Sequence, residues 1–449
     1  MTPAELRASF GLAAIFGLRM LGMFIILPVF SLYAELLPGG RDHTLIGLAL
    51  GAYGLTQAIL QIPFGALSDR WGRKRTIYMG LLLFALGSFV AASAHDIYMV
   101  IVGRIIQGSG AISAVVIALA ADLTRDEHRT KAMAIIGVTI GAAFGLSIVA
   151  GPVLNDVLGV PGLFALTGVL ALAAMGVVRW VVPDAAHAIA AGPRPMPLLS
   201  LLHGGGLARL NFGIFVLHAV LMALFVVVPF QLRSAGLPAG NHWKVYLTVM
   251  VGSILLMLPP MLLAERRGRQ KLVFVAAVVV LFAGQLGLAA CGATVMGITG
   301  SLLVFFGGLN LLEAMLPSLV SRAAPAGSKG AAVGIYSSVQ FLGSFAGAAV
   351  GGAISQYLGS LWVFVTCAML TLVWILVAAG MQGPQPTATR AYPIPRLDAK
   401  RADGLSRKLA GVPGVREALV IAGEGVAYVK VDNARFDEQH VLELIAGET

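Results

Sequence analysis

Apolar stretches long enough to cross a bilayer recur twelve times in this chain, and no other feature restricts its fold as severely. About 30 Å of hydrocarbon takes roughly 20 helical residues. Stretches of that length fall near residues 9–36, 44–68, 75–94, 97–123, 130–157, 160–182, 207–233, 242–264, 270–291, 294–322, 329–357 and 359–382. Lipid offers backbone N–H and C=O groups no partners, so each stretch is predicted to be a helix. With 58% hydrophobic and only 12% charged residues, an ordinary soluble protein is excluded. The 55 glycines suit helices that approach one another closely in lipid. The net charge of +10 sits in short loops and forms no basic stripe with interleaved aromatics, so nucleic acid is not the expected partner. Cys291 and Cys367 lie in apolar stretches with no metal or disulfide spacing. The first apolar stretch is too long for a cleaved leader and is read as a retained span.

Pro183 to Gly206 is a Pro/Gly-rich break that divides the spans six and six. The expected organisation is a six-helix bundle at 1–182, a linker at 183–206, a second bundle at 207–382, a tether at 383–396 and a small soluble domain at 397–449, with a first strand starting near 391. Basic residues concentrate in alternate loops: Arg70, Arg73, Lys74 and Arg75; Arg125, Arg129 and Lys131; Arg194 and Arg209; Arg266, Arg267, Arg269 and Lys271; Arg322 and Lys329. The other side carries little beyond Arg41, Arg233 and Lys244, so both termini are expected in the cytoplasm. Arg129–Gly159 echoes Lys329–Gly359 at a constant offset, aligning Gly151 with Gly351 and Leu158-Gly159 with Leu358-Gly359. Parallel six-helix repeats enclosing a cavity are the architecture of a rocking, alternating-access carrier. In the tail, helical periodicity over Asp398–Ala410, alternation over Val415–Ile421 and Val426–Val431, and an Asp437-capped last helix predict a ferredoxin-like β-α-β-β-α unit.

An ionisable residue in hydrocarbon is costly unless paired or wet. The deep ones are Arg19, Arg104, His218 and Glu313. The two arginines stay charged and can bind anions, carboxylates or carbonyls but cannot relay protons. His218 and Glu313 can change charge, as proton coupling requires. Each has a structural alternative: Arg104 as a helix tie, His218 as an interhelical hydrogen-bonding group, Glu313 as a protonated donor. Gln57, Gln61, Asn310 and Gln340 either line the cavity, together with Arg19, or bridge helices. Gly137, Gly141 and Gly145 form one smooth helix face expected to pack closely, and the Gly151-Pro152 step is expected to bend its helix. Between the second and third spans, Gly65 and Gly72 allow close approach and a tight turn, and Asp69 lies four residues before Arg73, at pairing distance on a helix. The same turn also reads as a plain topology anchor.

Gly65-Ala-Leu-Ser-Asp-Arg-Trp-Gly-Arg-Lys-Arg75 resembles the loop between helices two and three of the major facilitator superfamily. Residues 1–382 resemble that superfamily, and the small terminal domain is similar to that of a bacterial inner-membrane branch classed with drug/proton antiporters. The resemblance implies an all-α, twelve-helix 6+6 fold with a small α+β ferredoxin-like domain, in the bacterial inner membrane. It makes Gly65, Asp69, Arg70, Gly72 and Arg73, with Asp122, a gate latch that engages the amino end of the eleventh helix near Gly330. Arg104, Gln107, Gly108 and Gly110 match the fourth-helix motif and so carry an implied coupling role. Gly151 and Pro152 match the fifth-helix antiporter motif, which departs from the family pattern at Ser147 and at Leu154-Asn155. The surroundings of His218 and of Leu312–Pro317 also resemble the branch and imply a place in the cavity. The expected function is proton-coupled efflux of small amphipathic organic compounds or drugs, with Glu313, His218 and Arg104 in coupling. Alternatives are a proton symporter for a sugar or organic acid, and a membrane sensor signalling through its terminal domain. No enzyme, metal or cofactor is expected; the partners are the bilayer, protons, a small-molecule substrate and an unidentified ligand or protein at the terminal domain.

Overall fold

A single glycine divides the longest helical run, Asp126–Trp180: Gly159, at φ 64° and ψ 170°, is its one non-helical residue. The structure is a computed structural model that describes residues 1–184, 205–266, 269–324, 329–381, 387–395, 397–421, 425–432 and 436–447. Most of the expected linker, at 185–204, and much of the tether, at 382–386 and 396, lie outside them. Among the described residues, 11 helical segments are long and apolar enough to cross a membrane; Lys131–Trp180 is one of them and holds both the fifth and sixth expected spans. The others are Pro3–Ala34, His43–Trp71, Arg73–Ala92, Ile97–Asp122, Gly206–Ser234, Ala239–Leu263, Gln270–Cys291, Val295–Ala323, Gly330–Tyr357 and Ser360–Ala379. They are numbered below as spans 1 to 12 in chain order. Gly359, between spans 11 and 12, adopts φ 89° and ψ 169°, much the backbone state of Gly159, so the echo between the halves is also one of conformation. Both positions need glycine because other residues rarely enter that region.

Two spans are interrupted. Span 1 breaks between Phe24 and Leu27, just before Pro28, and span 4 between Gly108 and Ser113. At the first break Gly151 of span 5 packs so closely that a Cβ would meet the Ile25 carbonyl oxygen, while Ser147 Oγ donates to Leu21 O at 3.0 Å and Thr167 Oγ1 to Gly22 O at 2.9 Å. The Gly151-Pro152 step stays helical; its glycine serves close approach, and the departure from helix comes at Gly159.

Two compact units are present, Met1–Ala188 with Asn211–Leu316 and Gly334–Gly380, and Ile189–Leu210 with Pro317–Val333 and Met381–Thr449. Within the first, the two halves touch at the end opposite the basic turn. Gly47, Gly51 and Gly54 of span 2 lie flush against span 11, where side chains would meet the backbone oxygens of Ala348, Phe345 and Phe341. Around this seam Ser31 Oγ donates to Phe225 O at 2.9 Å, Arg233 pairs with Glu35 at 2.6 Å, and His43 stacks on Phe230 and meets Ser355 Oγ at 2.9 Å. Toward the basic turn the halves part. The smooth face of span 5 does not pack as expected: among the described residues nothing lies within 4 Å of a Cβ at Gly137 or Gly141, and Gly145 meets Met250 Sδ, at 3.8 Å. Gly334 of span 11 is equally open. Spans 5 and 8 approach near Asp156 and Gly240, still touch at Gly145 and Met250, and leave the Gly137–Gly141 part of the face open among the described residues.

In the second unit, β1 (Thr387–Pro393), β2 (Val415–Ile421) and β3 (Val426–Asp432) form an antiparallel sheet of order β1-β3-β2. With helices Ala399–Ala410 and Glu438–Ala446 this gives the small α+β domain, its order that of a ferredoxin-like unit with three strands among the described residues. β1 begins earlier than the strand expected near 391 and takes in residues read as tether. Its β-branched threonines suit a strand, and pairing from Thr387↔Asp432 to Pro393↔Val426 satisfies its backbone. Leu405, Leu409, Val429, Val431 and Val441 form the core, and Asp398 and Asp437 cap the helices. The Arg390 guanidinium, hydrogen-bonded to Glu438, holds that carboxyl below its ordinary value of 4.5. A depressed carboxylate stabilises the fold above its unfolded value and loses that contribution as pH falls through the folded one. Protection from hydrogen exchange over 426–432 and 436–446 in the full chain, relative to the intrinsic rate at each pH, should therefore fall as pH drops below 4.5, and Glu438→Gln should flatten that dependence; an unchanged profile would refute the pairing.

Candidate functional site

Gly72, at φ 95° and ψ 143°, ends span 2 and starts span 3, which aims the first side chain of span 3 back along span 2. Arg73 accordingly pairs with Asp69 at 2.5 Å, donates to Ser68 Oγ at 2.6 Å and reaches Asp122 Oδ2 of span 4 through Nε at 3.0 Å. Asp69 remains 63% exposed, a carboxylate with room for a further partner. Gly65 lies 3.9 Å from Ala114 by its would-be Cβ, and Arg70 is exposed. Lys74 donates to Val182 O at 2.6 Å and pairs with Asp184 at 2.7 Å, and its ammonium holds the Asp184 carboxyl below the usual range. Asp184 lay in the stretch read as linker and carried no sequence signal for this role.

The fourth-span motif is buried in the first half. Arg104 donates to Ala49 O, Leu50 O and Gln107 Oε1, and its guanidinium lies 4.9 Å from the Tyr53 ring centre. Gln107 passes the network to Ser88 Oγ at 2.8 Å. Gly108 and Gly110 sit where a Cβ would strike Tyr53 O and Gly80 O, so these glycines are required for close helix approach. Arg19 donates to Ser113 Oγ at 2.9 Å and Tyr53 Oη at 2.8 Å. Gln57 donates to Gly108 O at 2.9 Å, and Gln61 is fully enclosed. Arg19, expected along the cavity, and Gln57 and Gln61, expected either to line it or to bridge helices, are enclosed within this half, where glycine-mediated packing of spans 2, 3 and 4 closes over them and Gln57 bridges spans 2 and 4.

The second half brings together three of the expected residues from three spans. His218 Nε2 of span 7 lies 3.3 Å from Glu313 Oε1 of span 10 and 2.7 Å from Gln340 Nε2 of span 11. Glu313 is 34% exposed and His218 13%, so the protein covers the group only in part. One ring nitrogen cannot serve both partners in the same way. Protonated, Nε2 donates to the Glu313 carboxylate; deprotonated, its single lone pair accepts from Gln340. A proton arriving or leaving thus exchanges hydrogen bonds among three helices. Asn310 Nδ2 donates to Ser253 Oγ at 2.9 Å, linking spans 10 and 8. Tyr336, on span 11, is buried, its hydroxyl without a hydrogen-bond partner among the described residues; a lone tyrosine in a Gly-Ser-rich stretch carries no sequence signal for such a place. Among the described residues no cluster of His, Cys, Asp or Glu could hold a metal ion.

The family model for the Major Facilitator Superfamily matches residues 12–348 and 210–420. The inner membrane transport protein YajR of Escherichia coli K12 is 43% identical over 96% of this chain and 96% of its own length. The class G tetracycline resistance protein of Vibrio anguillarum is 32% identical over 32% of this chain and 36% of its own. Among solved structures, the human organic anion transporter MFSD10 matches with a TM-score of 0.66 at 19% identity, covering 84% of this chain and all of that one.

Proposed function

This chain belongs to the major facilitator superfamily, and from that premise we propose that it is a proton-coupled exporter of small amphipathic organic compounds in a bacterial inner membrane, working by alternating access. The observation that carries the reading is the partly exposed His218–Glu313–Gln340 group, which can hold or release a proton and exchanges interhelical bonds as it does so. The likeness to tetracycline resistance proteins favours export, as does Gly151 of the partly matched fifth-helix motif, seated on the break of span 1. The seam of span 2 on span 11 closes one end while the basic-turn end is parted, which corresponds to a cytoplasm-facing state if the basic loops are inside. In the opposite state, closure of the basic-turn end would set the exposed Asp69 carboxylate on the amino end of span 11, where the helix dipole favours a negative charge.

The test uses full-length protein in liposomes with an internal pH-sensitive dye, an imposed proton gradient and a panel of cationic, neutral and anionic amphiphiles. Proton movement evoked by a compound and opposite to its flux supports the reading. A folded protein silent to the whole panel refutes it. Asp69→Asn should shift the population toward the state open at the basic-turn end and slow transport about fivefold or more, measured as spin-label distances across that end; unchanged distances and rates would remove the latch.

A further inference from the structure

Arg19 is 1% exposed, yet its guanidinium is poorly satisfied. Its hydrogen bonds go to two neutral hydroxyls, Ser113 Oγ and Tyr53 Oη, and its face lies 5.5 Å from the Phe84 ring centre, while among the described residues Nε–H has no acceptor. Arg104 differs, with two backbone carbonyls and an amide oxygen around it. None of the ion pairs among the described residues includes either arginine, so this half carries two buried cations without an acid. Ser113 also opens the helix Ser113–Asp122, whose N-cap, Ile112, supplies no side-chain cap. The first amides of that helix lack intrahelical acceptors and carry partial positive charge. A break in a span beside a buried, under-bonded cation is an arrangement suited to an anion.

The geometry points to an anion site in which one negatively charged group is held between Arg19 and the amino end of helix Ser113–Asp122, in the place of the Tyr53 hydroxyl. Tyr53 is the movable wall. Its ring carries Arg104 on one side and meets Phe341 of the second half at 6.1 Å between ring centres, so parting of spans 2 and 11 frees it to swing away. This rests on the transport reading and narrows it: the cargo is an amphipathic compound with a single anionic group, such as a carboxylate. A free inorganic anion would satisfy the same donors.

Thermal unfolding of the detergent-purified full chain, titrated with benzoate, its neutral counterpart benzamide, or chloride, tests the site. Benzoate should stabilise the protein and benzamide should not. Arg19→Gln should weaken the apparent benzoate affinity about 10- to 100-fold, the effect of losing charge-assisted hydrogen bonds. Tyr53→Phe, which removes the competing hydroxyl and keeps the ring, should tighten it, and this variant carries the test if Arg19→Gln does not fold. Benzoate binding that neither variant changes, or equal stabilisation by benzamide, overturns the site. Chloride binding without benzoate binding overturns the cargo assignment. Glu313→Gln separates this from the transport reading, since it should remove proton flux and leave benzoate binding intact. Absence of proton flux from the unaltered protein, with benzoate still bound through Arg19, would sink the transport reading and leave the anion site standing.

Discussion

Glu313→Gln is expected to abolish proton movement coupled to transport, by about 100-fold or more, while the purified protein remains folded. Gln has nearly the shape of Glu and keeps both donor and acceptor capacity beside His218 Nε2, 3.3 Å away, so the helices stay linked. What it loses is the ability to take up and release a proton, and removal of a positioned proton carrier costs on the order of 100- to 10,000-fold where transfer limits the rate. The amide keeps His218 Nε2 as a hydrogen-bonding neighbour, which limits the cost of the substitution. Dye-reported proton flux in liposomes, alongside counterflow of labelled cargo that requires no net proton movement, separates coupling from binding. Counterflow should persist. Proton flux at the unaltered rate would remove Glu313 from the mechanism.

Gly47→Val is expected to open the end now closed. A Cβ at this position would meet the carbonyl oxygen of Ala348 and lie 3.0 Å from its carbon and 3.1 Å from Gly352 Cα, all backbone atoms that cannot rotate aside. Overpacking of this kind costs about 1–3 kcal/mol, enough to move a two-state balance roughly 5- to 150-fold. Transport should fall accordingly, because a carrier held in one state does not turn over. Gly137→Val is the counterpart: among the described residues nothing lies within 4 Å of a Cβ there, so the present arrangement should be unaffected and closure of the basic-turn end hindered. Spin-label distances across the two ends should thus change in opposite senses in the two variants. The same sense in both, or none, would show that these glycines do not seat the halves.

Much of this was legible beforehand because membrane folding leaves few options. Run length alone locates the spans, and the Gly65–Arg75 pattern marks the Arg73 pairing because its partner Asp69 is only four residues away, though the contact is made by the Gly72 turn and not along one helix. His218, Glu313 and Gln340 stood out as polar residues in apolar runs, where polarity is costly. Sequence does not say which helix face turns inward. Arg19, Gln57 and Gln61 were polar for the same reason, yet they are enclosed within one half. The stripe at Gly137, Gly141 and Gly145 signals that a helix can be approached, but which partner is near depends on the state of the carrier. Glu35–Arg233 and Lys74–Asp184 join residues far apart in the chain, beyond the reach of any local pattern. β1 was placed late because its first residues are polar and its backbone partners lie in β3.

The seam of Gly47, Gly51 and Gly54 bears on speed as well as on shape. Interlocked side chains must unpack before two helices can separate, and each knob withdrawn from its hole raises an activation barrier. A glycine ridge on a facing backbone has little to withdraw, so the halves slide apart with low friction, and the lost contacts are many weak ones instead of a few strong ones. Most of the hold at that end then falls to Glu35–Arg233 and the His43 contacts, at the rim where water can compete. If the halves alternate as proposed, a fastening made this way would open readily and reseal in register, which is the requirement of a machine that must cycle and not merely switch.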